Sequence, residues 1–265
     1  MKYADYTYRT KEPLKRLAHG KRFQQAARIV PLAEEMMILD YGCGDGAFFH
    51  HLAEFTPPKN LFGFDPGLLN ELNFDGATTY EAASELIANH ESEFDVVFCL
   101  EVCEHLSNDA IYELLRNLRL TARQDATFVF GVPIETGLSG FLKNIYRFCR
   151  GRRQNATLGR AIKSLFGLWI PRAFSPEGWS GSHLGFDANA FRELLKYGGF
   201  EVQRTVCLPW PRLGAVFNNE IYFVCRRNQR AFDDQMSNEQ NTIPRATKAS
   251  SAYRPAVHKE INQRS

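Results

Sequence analysis

Nowhere in its 265 residues does the sequence run to 18 uninterrupted apolar side chains, which excludes a spanning helix from the expectations. The opening Met1-Lys2-Tyr3-Ala4-Asp5-Tyr6 lacks the apolar core of a secretion signal. The six cysteines lack any C-x-x-C spacing, and several sit in apolar runs as small hydrophobes rather than in a disulfide framework. These absences predict a reducing, cytoplasmic setting. Net charge is also scarce, at +2, but that balance is local nowhere. Residues 1–30 carry 8 basic and 2 acidic side chains, and residues 31–135 carry 4 and 19. Residues 136–176 carry 8 basic side chains and no acid at all. An acidic block therefore lies between two basic ones.

What is present is ordinary for one large or two small soluble domains: 44% hydrophobic and 23% charged residues, enough for a core without disulfides or metal. Residues 10–30 read as a helix. From residue 36 strand and helix patterns alternate. Strands are predicted at 36–41, 61–64, 78–80, 94–100 and 127–132, and helices at 46–54, 84–89 and 110–120. Such alternation means βαβ units and a parallel sheet with helices on both faces. After residue 133 the rhythm breaks. A helix at 187–197 and strands at 200–208 and 220–226 follow, the last two expected to be antiparallel at the sheet edge. The polar stretch 229–265 is expected to be a disordered tail.

The first strand runs into Asp40-Tyr41-Gly42-Cys43-Gly44-Asp45-Gly46. Glycines there permit positive φ and let a ligand approach bare backbone. Gly42, Gly44 and Ala47 also satisfy the dinucleotide fingerprint, so glycines alone leave the ligand open, and a tight ligand-free turn is the plainer alternative. Charge separates the ligands. Asp45 would repel a pyrophosphate, whereas Asp40 and Asp45 suit a ligand that presents cations, as the ammonium and sulfonium of S-adenosylmethionine do. Asp65 ends the second strand, where an acid accepts hydrogen bonds from ribose hydroxyls, or where it simply makes a turn before Pro66. Glu81 follows the third strand and is a candidate for the adenine side.

The D-x-G-x-G-x-G run from Asp40 to Gly46, the acid at the second strand end and FDVVFCLEVCEHL together resemble the class I S-adenosylmethionine-dependent methyltransferases, over roughly residues 22–226. That resemblance implies a Rossmann-like, doubly wound α/β fold. Its sheet would have seven strands, mostly parallel with an antiparallel last strand, in a domain over 31–228. It implies S-adenosyl-L-methionine as cofactor, held by Asp40, Gly42, Gly44, Gly46, Asp65, Glu81 and Leu100. The run Leu14–Val30, with His19 and Arg22, looks like the helical cap that lies over the cofactor in this group.

On the acceptor side, Glu101, Glu104 and His105 would share one face if a helix began there. Two carboxylates and an imidazole can bind a divalent metal, or an acid can orient His105 as general base for a hydroxyl. The same E-x-x-E-H occurs in ubiquinone-pathway O-methyltransferases and small-RNA 2′-O-methyltransferases, where it is linked to metal with a further downstream histidine. His183 is the candidate for that ligand, and a plain loop position is its alternative. The expected catalytic set is His105, Glu104 and His183. The basic segment 136–176 reads as an amphipathic insert or lid. In one reading its apolar face packs on the sheet. In the other, residues 138–172 meet a membrane surface or an anionic substrate. The expected acceptor is small, lipid-linked or a glycan, with RNA 2′-O-methylation and a non-catalytic cofactor-binding regulator as the alternatives. Nucleic acid is the less favoured partner.

Overall fold

The computed structural model describes residues 22–67, 72–149, 157–176 and 178–228. The expected tail, most of the expected N-terminal cap and His19 lie outside them. Residues 22–26 are helical (α1) and the chain turns away at 27–30, so a helix reaching residue 30 is not what forms.

Apolar and alternating runs become the strands: β1 (Ile38–Tyr41), β2 (Leu61–Phe64), β3 (Thr78–Tyr80), β4 (Phe94–Leu100), β5 (Ala122–Pro133, five residues earlier than the expected start), β6 (Phe200–Leu208) and β7 (Glu220–Arg227). Their order across one seven-stranded sheet is β3-β2-β1-β4-β5-β7-β6, and β7 alone runs antiparallel to its neighbours. The pleat divides the side chains between two apolar layers. On one side, Leu39, Phe62, Val97, Phe128 and Phe223 meet α4 (Asn108–Thr121) and α7 (Ala188–Tyr197). On the other, Ile38, Leu61, Phe98, Val129 and Tyr222 meet Phe23 and Ala26 of α1, and Phe49 and Leu52 of α2 (Phe49–Leu52). Each such side chain contributes about 1.5–3 kcal/mol by leaving water. Ser107 and Asp187 cap α4 and α7, accepting from Ala110 N at 3.3 Å and Asn189 N at 2.8 Å. A further helix, α3 (Ala83–Asn89), covers β3.

Two expected helices differ. The one predicted at 46–54 shrinks to α2, because Gly46 N and Phe49 N bond back three residues, to Cys43 O and Gly46 O, in successive tight turns. The stretch after β4 is no α-helix either. Glu101 sits at φ +59, which breaks the run, and only Cys103–His105 wind into a 3-10 turn. Glu101, Glu104 and His105 therefore do not form a helical face.

The segment 136–176 forms α5 (Gly137–Cys149) and α6 (Leu158–Leu165), which pack on each other. They turn small and polar side chains inward and large apolar ones outward. The expectation that the apolar face packs on the sheet is thus overturned.

Candidate functional site

The sheet order changes direction between β1 and β4, and open α/β sheets bind ligands at the carboxyl ends of the strands flanking such a point. Asp40 lies there on β1, buried, with Gly63 and Phe98 as its neighbours in register. Burial, with the Asp65 charge added, raises its carboxyl from 3.8 to about 8. No lysine or arginine among the described residues pairs with it. A buried carboxylate with no cation of its own is the electrostatic counterpart of a cationic ligand. The chain then leaves β1 through Gly42 at φ +93 and Gly44 at φ +53, conformations that side-chain-bearing residues rarely adopt. Gly44 N donates to Asp65 Oδ2 at 3.1 Å, which ties the loop to the end of β2. Asp65 Oδ1 accepts from Gly67 N at 3.0 Å, so the turn role is real, and a carboxylate retains further lone pairs for hydroxyl donors. Gly46 closes the loop, where a Cβ would approach Leu72 Cδ1 to 2.8 Å. Asp45 is turned into the loop and accepts from Ala47 N at 3.3 Å. Glu81 is exposed beside Asp65, whose N donates to Tyr80 O at 3.1 Å. Leu100 is buried at the end of β4.

Beyond β4 the acids part company. Glu101 turns to Arg22, whose Nη1 lies 3.7 Å from Glu101 Oε2 and also pairs with Glu220. Glu220 accepts from Tyr222 Oη at 2.6 Å, and burial holds its carboxyl above the ordinary range. Glu104 is buried with both carboxylate oxygens lacking a hydrogen-bond partner; His183 Nε2 stands 3.9 Å from Oε1. Burial, reinforced by Glu101, raises its carboxyl well above the usual value. His105 Nδ1 is 2.7 Å from Ser180 O, and the rings of His105 and His183 meet Nε2 to Nε2 at 3.0 Å. Trp179 stacks on His105, with centroids 4.5 Å apart and planes 11° off parallel. Burial lowers both imidazoles, His183 to about 4 with His105 adding to the effect.

Of the expected residues, the structure brings Asp40, Gly42, Gly44, Gly46 and Asp65 to one loop cluster, and Glu104, His105 and His183 to another. Glu81 stands at the rim. Trp179, Arg172 (which donates to Glu104 O) and Glu220 were not singled out as site residues. Only Trp179 carried a signal, as an aromatic in Gly178-Trp179-Ser180-Gly181-Ser182 directly before His183.

A family model described as "Methyltransferase domain" matches residues 11–205. The chain belongs to this methyltransferase family. The methyltransferase is also similar to the tRNA U34 carboxymethyltransferase of Helicobacter pylori (strain HPAG1), 27% identical over 193 residues, 66% of this chain and 65% of that protein. The Campylobacter jejuni subsp. doylei protein of the same name is 33% identical over 90 residues, 31% and 30% of the two chains. The chain spans between 30% and 65% of the length of these relatives. Among solved structures, an S-adenosylmethionine-dependent methyltransferase of Archaeoglobus fulgidus matches at TM-score 0.51 and 15% identity, covering 84% of this chain and 97% of that one. A Haloferax volcanii methyltransferase in complex with the Trm112 activator matches at 0.52 and 13%, covering 85% and 96%. These two show the shared class I fold. The loop fits S-adenosylmethionine on its own terms: an unpaired buried acid, bare glycine backbone, and a hydroxyl acceptor at the end of β2.

Proposed function

We propose that this S-adenosylmethionine-dependent methyltransferase methylates an oxygen of a small, lipid-linked or glycan acceptor, with His105 as general base and His183 and Glu104 beside it. The observation that carries this reading is the fixed orientation of His105. Its Nδ1–H donates to Ser180 O, which leaves the Nε2 lone pair facing the site. Burial keeps the ring neutral near pH 7, so the lone pair is available to take a hydroxyl proton. Trp179 fixes the ring plane, and His183 Nε2–H donates to the same Nε2 until an acceptor hydroxyl replaces it. Asp40 and the glycine loop would hold the methionine end, and Asp65 the ribose. Bound cofactor supplies a methyl group already activated by its sulfonium, so alignment and exclusion of water are the remaining demands.

A metal-assisted reading rests on Glu104. Its carboxylate and the two imidazoles offer ligand atoms within 4.8 Å of one another, a donor set that suits a divalent ion of the zinc or manganese kind. Elemental analysis of purified protein and of Glu104→Gln decides this. Stoichiometric metal lost in the variant supports it, and metal-free protein with chelator-insensitive activity rejects it.

Carboxymethyl transfer to tRNA is named for the curated relatives. Transfer from methyl-labelled cofactor over lipid, glycan, RNA and small-molecule fractions separates the readings. Label in lipid or glycan is expected and must vanish in Gly44→Arg, which also abolishes binding of S-adenosylhomocysteine in calorimetry. Label confined to RNA overturns the acceptor. Unchanged binding in the variant overturns the cofactor site, and binding without transfer supports a regulator.

A further inference from the structure

The two helices of segment 136–176 are inside out. On α5, Ser139, Gly140 and Asn144 are buried, while Leu138, Leu142 and Tyr146, four residues apart, face solvent. On α6, Ala161 and Ser164 are buried, while Leu158 and Ile162, with Phe166 one step beyond, face out on the same spacing. What holds the hairpin is polar. The Glu135 carboxylate, buried, accepts from Arg147 at 2.6 and 3.0 Å and lies 3.5 Å from Lys143 Nζ. Ser164 Oγ donates to Glu135 O, Gly140 leaves no room for a Cβ against that carbonyl, and Ser139 Oγ donates to Asn218 O at 2.8 Å. Phe141 and Ile145 are only half-buried.

The exposed face continues past the helices. Trp169 is 79% exposed. The neighbouring turn Pro211–Val216, tied to α5 through Asn218, exposes Trp210, Leu213 and Phe217. An apolar surface of this extent on a helical pair marks a contact site, since isolated exposed leucines are ordinary but contiguous stripes are not.

Charge identifies the occupant. Of the segment's eight lysines and arginines, which no acid of the segment accompanies, Lys143 and Arg147 are engaged by Glu135 and Arg172 by Glu104 O, while Lys163, and Arg212 on the 210–217 turn, are exposed beside the stripe. Leucine, isoleucine and phenylalanine flanked by tryptophan, tyrosine and cations is the composition that lies in the plane of a bilayer interface. A second copy of the chain would set this cationic face against itself. RNA would leave the aliphatic rows uncovered.

We propose that the outward face of α5 and α6, with the 210–217 turn, docks on an anionic lipid bilayer. The docking stands independently of the acceptor. That it would bring lipid-linked substrate to the His105 edge rests on the reading above.

Flotation of the full chain with vesicles of 3:7 phosphatidylglycerol and phosphatidylcholine, against phosphatidylcholine alone, tests it. At least about tenfold preference for the anionic vesicles is expected, together with quenching of tryptophan emission by brominated acyl chains. The double variant Leu142→Gln/Phe166→Gln should lose at least about tenfold of that binding while keeping its circular dichroism and S-adenosylhomocysteine binding. No flotation, or equal flotation of the variant, overturns the proposal. So does a lipid-free dimer, or an RNA complex, that the same variant dissolves. Cofactor calorimetry on the same samples keeps the two readings apart: intact cofactor binding without flotation removes only the bilayer.

Discussion

The two halves of the chain handle amphipathic sequence in opposite ways. Around the glycine loop, apolar side chains enter two layers against the sheet, and the acids that remain inside are set toward a ligand. In the α5–α6 hairpin, small and polar side chains enter, a buried ion pair holds them, and the large apolar ones remain outside. Burial there does not follow hydrophobicity. One half is built around what it binds, and the other is built to leave its greasy side available.

Substitutions at matched sizes break or sharpen that contrast. Phe128→Ala, in the sheet core, should lower the unfolding free energy by about 3–5 kcal/mol in urea titration. Glu135→Gln should cost about 2–3 kcal/mol, because a charged acceptor is withdrawn from Lys143 and Arg147, whose own side chains still reach water. The same group sets an acid dependence. Burial alone would raise the Glu135 carboxyl, but Lys143 and then Arg147 overcome it and hold the group below its ordinary 4.5. Its stabilisation is therefore complete above that value and lost as pH falls through the lower folded value, a slope that Glu135→Gln should flatten in stability measurements.

On the cofactor side the sign is reversed. Asp40 is raised to about 8, so at pH 7 its carboxyl is largely protonated, and a ligand ammonium bound beside it should displace that proton. Affinity for S-adenosylhomocysteine should fall as pH drops from 8 to 6, by up to about tenfold per unit, and calorimetry in two buffers of different ionisation enthalpy should show proton release. The smallest effect is expected outside: Leu142→Gln should change the unfolding free energy by no more than about 0.5 kcal/mol. A loss of several kcal/mol there would mean the outer face is packed after all.

Most strands were legible because breakers bound them, whereas β5, expected at 127–132, starts at Ala122 directly after α4, where no breaker marks the join. Leu61–Phe64 stands between Asn60 and Asp65-Pro66, and FDVVFCL between Ser92-Glu93 and Glu101. The loop residues were legible too, since glycine spacing and acid placement are local. Periodicity located the hairpin stripe but not its direction, because the inward side is held by Ser139, Asn144 and Ser164, which carry no apolar signal. The E-x-x-E-H face failed for a backbone reason: φ +59 at Glu101 sends that carboxylate to Arg22, and no composition rule reports it.

The Arg22 contact also bears on how the chain becomes active as it is made. Its partner Glu220 opens β7, the last strand among the described residues, yet β7 is seated between β5 and β6 rather than at the rim. Until the ribosome has released that strand, β5 presents an unpaired edge and Arg22 lacks its Glu220 partner. A chain cut short after β6 would carry the glycine loop and every histidine named above, but the clasp across the strand ends would be missing, with an open edge free to pair with another chain. Seating of β7 and formation of the Arg22–Glu220 clasp are thus one event.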